Sequence, residues 1–376
     1  MVTVNPGESL RIAYYGSSDG LATEVSHVSV IDASAERVMT RSVLNLRRGG
    51  GKVEVGECLL PRSAAFADGS LYVTCLGIDT LVEYDARALD PSKAETRRWQ
   101  VPSGPTGVAI ESVSKRAVVW SQFDRSVAIV PLKDDADSQV QTVALSRKAG
   151  FGLVGDAALG RVLYHKSGDS RISVEGMACA SCHPDGREDA LTWGTIDGPR
   201  QTPMLAARLD DTGPYSWNGV HSTVEIHLKD TIQRLRGTGL RESEVHAIAQ
   251  YIKVMDSPKP RVTNTAHQQQ QIQIGKELFF SAETACSTCH QPDKGYTDGA
   301  THDVGSVSVL RNANDPKEKM LDTPSLKFIR GTAPFFHDGR YQTLQEMLDS
   351  PDHAMGYSMN LTREQRVALA AFLETL

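Results

Sequence analysis

The chain contains the same five-residue pattern of potential ligands twice, as "CASCH" at 179–183 and as "CSTCH" at 286–290. Two cysteines three positions apart, with a histidine directly after the second, suit either a haem or a zinc ion. With a c-type haem, the thiols form thioethers to the two vinyl groups and the histidine ligates the iron. With zinc, each cysteine pair needs a second pair of ligands close by.

The rest of the cysteine content favours haem over zinc. The chain has six cysteines, and none of the other two lies between the patterns or beside either of them. We therefore predict two covalently bound haem c groups, each attached by two thioethers and ligated by the adjacent histidine. The predicted attachment residues and iron ligands are Cys179, Cys182 and His183 for the first haem and Cys286, Cys289 and His290 for the second.

The two patterns lie in two copies of one helical domain. Each copy has a short segment before the cysteines, a T-P segment after them, and a final segment with apolar residues at helical spacing. The paired segments are 160–165 and 275–280, 202–227 and 323–347, and 240–252 and 361–373. We predict cytochrome c domains at 151–258 and 272–376, joined by a polar, proline-containing linker at 259–271.

Residues 1–150 have the composition of strands and turns, since apolar β-rich runs alternate with Gly, Pro, Asp and Ser. Segments 62–75, 106–120 and 151–165 superimpose at steps of about 45 residues, the period of propeller blades. They resemble blades of the YVTN-type seven-bladed propeller, although about three and a half blades are too few to close a ring. A β-sandwich is the alternative. The predicted fold is a multidomain β + α protein, with an incomplete ring of blades before two helical cytochrome c domains.

Bulk composition excludes some function classes. The formal net charge is −6 and 23% of residues are charged, so we expect no nucleic-acid partner. No apolar run reaches 18 residues, so no membrane-spanning segment is expected. The opening "MVTVNPGESLRIAYYG" lacks the features of a secretion signal, and we expect a periplasmic or cell-surface protein whose signal is not in this chain. Cys58 and Cys75 fit either a disulfide or two buried thiols.

The sixth iron ligand separates electron transfer from catalysis, and the second copy offers a methionine for it. Small c-type domains take this ligand from the loop before their last helix. In the second copy that loop, 349–360, contains Met355 and Met359, with His353 beside them. We expect Met355 to ligate the second haem, with His353 as the alternative.

The loop of the first copy, 226–239, contains no methionine. We therefore predict that the first haem is open to solvent or substrate. His227 and His221 are rival ligands at this position. An open haem iron needs an acid–base group for peroxide chemistry, and Glu225 in "WNGVHSTVEIH" is the candidate.

The helical part, residues 150–376, resembles the bacterial di-haem cytochrome c peroxidase and MauG family. "DTPSLKFIRGTAPFFHDGRYQTLQEM" is close to the family's second-domain signature, and "WNGVHSTVEIH" is similar to its first-domain segment. The resemblance implies that Glu225, six residues after Gly219, is the distal acid–base. It also implies a calcium ion held by the backbone carbonyls of Thr332 and Pro334.

Three positions depart from the family pattern. The distal glutamine of the peroxidases falls near Tyr215, and their inter-haem tryptophan falls near Met204 or Leu205. Trp193 and Trp217 are close in sequence to that tryptophan position. The family's methionine or tyrosine ligand, fourteen residues after the H-D-G histidine, falls on Pro351, which cannot ligate, so the ligand must come from a shifted residue such as Met355.

The sequence supports three hypotheses for function. The first is a di-haem oxidoreductase that reduces hydrogen peroxide at the first haem, with electrons entering through the second from a small electron-donor protein. The second is MauG-like long-range oxidation of a partner protein docked on the propeller. The third is a pure electron-transfer cytochrome in which both irons are six-coordinate.

Overall fold

A computed structural model describes most of the chain. The described residues are 2–4, 24–26, 31–32, 34–38, 57–88, 90–133, 139–146, 152–195, 198–210, 212–259, 265–305 and 320–376. They belong to two compact units. The first unit is Met1–Ser181 with Ile232–Tyr251, and the second is Cys182–Thr231 with Ile252–Leu376.

The strands of the first unit pair only with antiparallel neighbours. Two short pairs come first, β1 with β2 and β3 with β4, and two four-stranded sheets follow, ordered β5-β6-β7-β8 and β12-β11-β10-β9. The bounds are β1 Val2–Val4, β2 Glu24–Ser26, β3 Ile31–Asp32, β4 Arg37–Val38, β5 Pro61–Ala67, β6 Ser70–Cys75, β7 Thr80–Asp85, β8 Glu95–Gln100, β9 Pro105–Glu111, β10 Arg116–Ser121, β11 Ser126–Pro131 and β12 Gln141–Ala144.

The two four-stranded sheets share a core. In β11 buried and partly buried residues alternate, as expected when one face of a strand is packed. Tyr72 and Leu81 of one sheet and Val119 and Val130 of the other belong to one buried apolar cluster. The described strands therefore form two meanders packed side by side, and they close neither a barrel nor a ring.

The prediction of a third β repeat at 151–165 was wrong, because this segment forms helix α1 (Gly155–His165). Its residues "GDAALGRVLYH" include good helix formers, and Leu163 and Tyr164 are buried on one side of the helix. A glycine in the middle of α1 also allows a close helix contact, since a Cβ on Gly160 would lie 1.9 Å from the carbonyl oxygen of Ala247. The step of about 45 residues therefore relates similar apolar residues, but the third of these segments is a helix and not a strand.

Eight helices occur in the described residues, and none of these is long and apolar enough to cross a membrane. Besides α1 they are α2 Cys179–Cys182, α3 Val224–Arg234, α4 Glu242–Lys253, α5 Ala266–Phe279, α6 Cys286–Cys289, α7 Leu344–Asp349 and α8 Arg363–Leu373. The second unit also contains the hairpins β13 Thr192–Thr195 with β14 Gly198–Gln201, and β15 Thr301–Asp303 with β16 Met320–Asp322.

The helix contact of α1 with α4 is repeated between α5 and α8. A Cβ on Gly275 would lie 1.9 Å from the carbonyl oxygen of Ala368, the same value as for Gly160 and Ala247. An isolated bridge also occurs twice, as Tyr215 with His221 and as Phe335 with Tyr341. These repeated contacts support the duplication predicted from the sequence, while the proposed domain boundaries stay a prediction.

Cys58 and Cys75 form a disulfide in the first unit. Both residues are buried beside Val73, Val82 and Tyr84. Of the two alternatives that the sequence left open, the structure has the disulfide.

Candidate haem sites

The second cysteine pattern forms one turn of helix, α6, which begins at Cys286 and ends at Cys289. The spacing of three residues places both cysteines on the same side of this turn. Ala285 enters this turn in the left-handed conformation, with φ 55°. His290 follows directly, and its ring is buried at 8% exposure. Its Nδ1 lies 2.8 Å from the carbonyl oxygen of Tyr296, so Nδ1 donates there and Nε2 is the nitrogen left for a metal. Burial lowers the pKa of His290, which keeps the ring neutral, as a ligand must be.

These side chains line a cavity of about 340 Å³ that lies within the second unit. Both thiols, His290 and Met355 face it together. Much of the remaining wall is apolar, as a largely hydrophobic macrocycle requires. Apolar residues of this wall are Phe279, Leu321, Leu326, Ile329, Phe335, Met347, Leu348, Leu369 and Leu373. The donor set and the apolar wall fit a haem held by Cys286 and Cys289.

Of the three candidates for the sixth ligand, Met355 is the one on the cavity wall. Met355 is partly buried. The next residue, Gly356, lies close to the cysteine pattern, since a Cβ added to it would be 3.7 Å from the Cys286 sulfur. Both ring nitrogens of His353 have partners, because Nε2 lies 2.8 Å from the Met347 carbonyl oxygen and Nδ1 accepts from the Met355 amide. Met359 is 50% exposed. The geometry favours Met355, and its bond to the iron stays a prediction.

The thiols of both patterns lie in low-polarity surroundings. Burial raises the pKa of Cys179 to about 12 and also raises the pKa values of Cys286 and Cys289. These thiols are therefore protonated at neutral pH when nothing is bound to them.

One set of residues in the described part of the chain does have the spacing of a metal site. Ligand atoms of Cys289, Asp298 and His302 lie within 4.8 Å of one another, and His302 Nε2 is 2.7 Å from Asp298 Oδ2. This set omits Cys286 and His290, so it does not account for the pattern. It is therefore a weaker explanation of the second site than haem.

The first pattern also forms one helical turn, α2, which contains Cys179 and Cys182. The Ser181 hydroxyl accepts a hydrogen bond from the Ala178 amide and closes the start of this turn. Burial lowers the pKa of His183 to about 4, so this histidine is also neutral. Both patterns thus share the single helical turn and a histidine that burial keeps neutral.

The predicted acid–base, Glu225, lies in the first turn of α3 and is partly exposed. Close to it, the rival ligands His221 and His227 face each other, with their Nδ1 atoms 3.2 Å apart. His221 Nε2 lies 3.7 Å from Asp230. The distal role of Glu225 stays a prediction.

The two tryptophans noted in the sequence have different surroundings. Trp193 is buried, and its Nε1 donates to Asp189 at 2.9 Å and to Thr202 at 3.1 Å. Trp217 lines the cavity of the second site. Of the two, Trp217 is the one placed beside a cofactor site.

The predicted calcium ligands Thr332 and Pro334 also belong to the cavity wall. Thr332 is 8% exposed, and its hydroxyl donates to the Ile329 carbonyl oxygen at 2.9 Å. That hydroxyl is thus occupied within the turn, and the role of the two backbone carbonyls towards calcium stays a prediction.

Sequence reasoning missed several residues of the second site. Gln201, Arg208 and His337 line the cavity that contains His290, and two of these three come from the first copy. His337 lies in the H-D-G segment quoted for the family, so the motif itself was a signal. Arg208 and Gln201 flank the first copy's T-P segment, and nothing local to them marks a contact with the other copy.

Comparisons with known proteins agree with this site. Residues 269–372 match the family model described as di-haem cytochrome c peroxidase. The chain is 23% identical over 287 residues to the methylamine utilization protein MauG of Methylorubrum extorquens, covering 58% of this chain and 77% of that protein.

Two peroxidases are also similar to the chain. It is 26% identical over 240 residues to the cytochrome c peroxidase Ccp of Escherichia coli, which is 50% of each protein. It is 24% identical over 325 residues to the cytochrome-c peroxidase IdrP2 of Denitromonas iodatirespirans, covering 64% of this chain and 86% of that protein.

The matches and the site support a di-haem oxidoreductase similar to the peroxidases and to MauG. The match at residues 269–372 agrees with the family resemblance found in the sequence. None of these matches bears on the propeller resemblance of the first unit.

Proposed function

We propose that the protein is a di-haem c oxidoreductase that reduces hydrogen peroxide at the first haem, with electrons entering through the second. The observation that carries the proposal is the single cavity lined by Cys286, Cys289, His290 and Met355. Haem supplies iron that changes its oxidation state by one electron. The residues of the chain decide which haem reacts and which transfers electrons.

We propose that the second site serves electron transfer. His290 and Met355 line the same cavity, and if both held the iron of a haem bound there, no ligand position would remain for a substrate. The apolar wall also excludes water, which keeps the energy of reorganisation low on electron transfer. We propose that a small electron-donor protein delivers electrons to this site.

The first site is proposed to be the reactive one, because its copy offers no methionine in the corresponding loop. Glu225 is proposed to take a proton from one oxygen of hydrogen peroxide and to deliver it to the other, which leaves as water. Positioned acid–base groups of this kind typically contribute about 10²–10⁴-fold in rate.

A second candidate function is MauG-like oxidation of a partner protein. It is favoured by the two four-stranded sheets, whose apolar side chains Phe66 and Val143 are 69% and 50% exposed. We propose that these sheets are the blades of an incomplete propeller and that they would receive the partner. A calcium ion at the carbonyls of Thr332 and Pro334 is part of either proposal.

The proposed location is the periplasm or the cell surface. The disulfide Cys58–Cys75 supports it, because disulfides persist in oxidising compartments and are rare in the cytosol.

Replacing Glu225 by Gln tests the peroxidase function. We expect Glu225→Gln to keep both haems attached while peroxide consumption falls by about 10²–10⁴-fold, since the amide cannot carry the proton. Glu242→Gln, also at the start of a helix, is the matched control and should keep full activity. Full peroxide activity in Glu225→Gln would contradict the assigned role.

An EPR spectrum of the ferric protein separates peroxidase from pure electron transfer. We expect one high-spin signal, from the first haem, and one low-spin signal, from the second. Peroxide should alter the high-spin signal. Two low-spin signals that do not respond to peroxide would instead support electron transfer alone.

A further inference from the structure

Two buried side-chain nitrogens in the second cavity have no hydrogen-bond partner among the described residues. Gln201 is 5% exposed and His337 is 2% exposed, and both line the cavity. Gln201 Nε2 and His337 Nδ1 make no hydrogen bond within the described part of the chain. Buried polar atoms nearly always have a partner, and an unmet one is costly. The cavity is therefore expected to supply an acceptor at this place.

The main chain holds these two side chains together. The backbone N–H of Gln201 donates to the backbone carbonyl oxygen of His337 at 2.6 Å. The Gln201 carbonyl oxygen accepts from Trp217 Nε1 at 2.8 Å, and the Trp217 ring stands edge-on to the His337 ring, with centroids 6.4 Å apart. Because Gln201 ends β14 and His337 lies in the H-D-G turn, the pair is fixed by backbone rather than by flexible side chains.

The groups around His337 favour an anionic acceptor. The pKa of His337 is lowered to about 4, mainly by burial; the nearby Asp338 opposes this shift, and Arg200 and Arg340 add to it. Asp338 is itself bound by Arg340, with Nε 2.9 Å from both carboxylate oxygens. His337 Nε2 is 3.9 Å from Asp338 Oδ2, too far for a hydrogen bond. The ring is thus neutral, and its one N–H hydrogen can be placed on Nδ1. Two arginines contribute a positive electrostatic potential around it.

We propose that Gln201 and His337 donate hydrogen bonds to one carboxylate of the second haem. The proposal rests on the proposed function, which places a haem on Cys286 and Cys289. A haem carries two carboxylates, and a buried carboxylate needs such donors. Since Gln201 comes from the first copy of the domain and His337 from the second, both copies position this haem.

The test measures the midpoint potential of the second haem between pH 5 and pH 8 in the holoprotein. The variants are Gln201→Met, which keeps the volume of the side chain, and His337→Phe, which keeps a ring. Without the donors the carboxylate binds a proton more readily. We expect the midpoint potential of each variant to depend on pH more steeply than that of the parent, in which Asp322 of the same cavity also titrates in this range. The double variant should shift by less than the sum of the two, because both donors serve one acceptor.

Gln342→Leu, at an exposed glutamine of the same segment, is the matched control and should behave as the parent. Full haem attachment in Gln201→Met and His337→Phe, with the same dependence of midpoint potential on pH as in the parent, would overturn the proposal and assign the two donors to water. Absence of haem from the second pattern of the parent would instead overturn the proposed function itself. If His337→Phe does not fold, Gln201→Met alone decides.

Discussion

At the scale of single residues, the environment of each ligand decides what its haem can do. His290 gives its Nδ1 hydrogen to the Tyr296 carbonyl and faces the cavity with the other nitrogen. Met355 lies on the same cavity wall, whereas Met359 is half exposed. The choice between two methionines four residues apart is therefore decided by burial, which the loop sequence alone did not settle.

Met355→Ala should change the second haem from low-spin to high-spin or water-ligated, because alanine offers no sulfur to the iron. Its midpoint potential should fall, since methionine ligation raises the potential of c-type haems. Optical and EPR spectra with redox titration measure both effects. Met359→Ala is the control and should leave the spectra as they are. A low-spin second haem in Met355→Ala would assign the ligand to another residue.

Asp322 provides a pH-dependent contribution to stability. Burial, with help from the nearby Asp298, raises the pKa of Asp322 to about 7. The folded protein then binds this proton more tightly than the unfolded chain does, so the free energy of unfolding falls as the pH rises from about 4 to about 7.

Asp322→Asn should therefore be stabilising, and more so at pH 8 than at pH 5. After allowance for partial solvent exposure, we expect a difference on the order of 1–2 kcal/mol. Guanidinium unfolding of the holoprotein at both pH values measures it. Asp293→Asn, at an exposed carboxylate of the same copy, is the control. Equal effects of Asp322→Asn at the two pH values would show that this carboxyl titrates normally.

At the scale of elements, each copy of the helical domain contains one pair of closely packed helices. In the second unit, α5 approaches α8 so closely that Gly275 has no room for a Cβ, and α1 and α4 repeat the contact at Gly160. The sequence predicted these helices and their duplication from apolar spacing. It gave 151–165 two incompatible interpretations, a third strand repeat and the start of a helical domain, because the apolar positions of a short segment fit both. The structure has the helix.

Gly275→Ala should destabilise the second unit by about 1–3 kcal/mol, because the added methyl would meet the Ala368 carbonyl and force the helices apart. Chemical denaturation followed by circular dichroism gives the value. Gln270→Ala, at an exposed position of α5, should have little effect or stabilise slightly. Unchanged stability of Gly275→Ala would mean that α5 and α8 are less closely packed than described.

The disulfide should stabilise the four-stranded sheet β5-β6-β7-β8, which contains Cys75. Cys58 and Cys75 are 17 residues apart, and a crosslink of this length contributes about 3 kcal/mol in the chain-entropy model. Cys58→Ala with Cys75→Ala should lower the stability of the sheet region by about 2–4 kcal/mol, measured by hydrogen exchange. Haem attachment at Cys286 and Cys289 should be unaffected. A free-thiol assay that finds both cysteines reduced in the parent protein would contradict the pairing.

At the scale of the whole molecule, local motifs were predictable and long-range contacts were not. The two cysteine patterns, their histidines and the Met355 loop were identified from spacing alone. Gln201, Arg208 and Trp217 were not assigned to the second site, because their contribution depends on how the first copy's T-P segment folds against the second copy's cavity. Such contacts join residues more than eighty positions apart, and no periodicity in the chain records them.

The central claim is that each cysteine pattern holds one covalent haem, and the mass of the denatured holoprotein tests it most directly. The parent should carry the mass of two haems. Cys179→Ala with Cys182→Ala, and Cys286→Ala with Cys289→Ala, should each remove one haem and leave the other in place. A parent chain that carries zinc or no added mass would contradict the account, as would a pair of variants that both retain two haems.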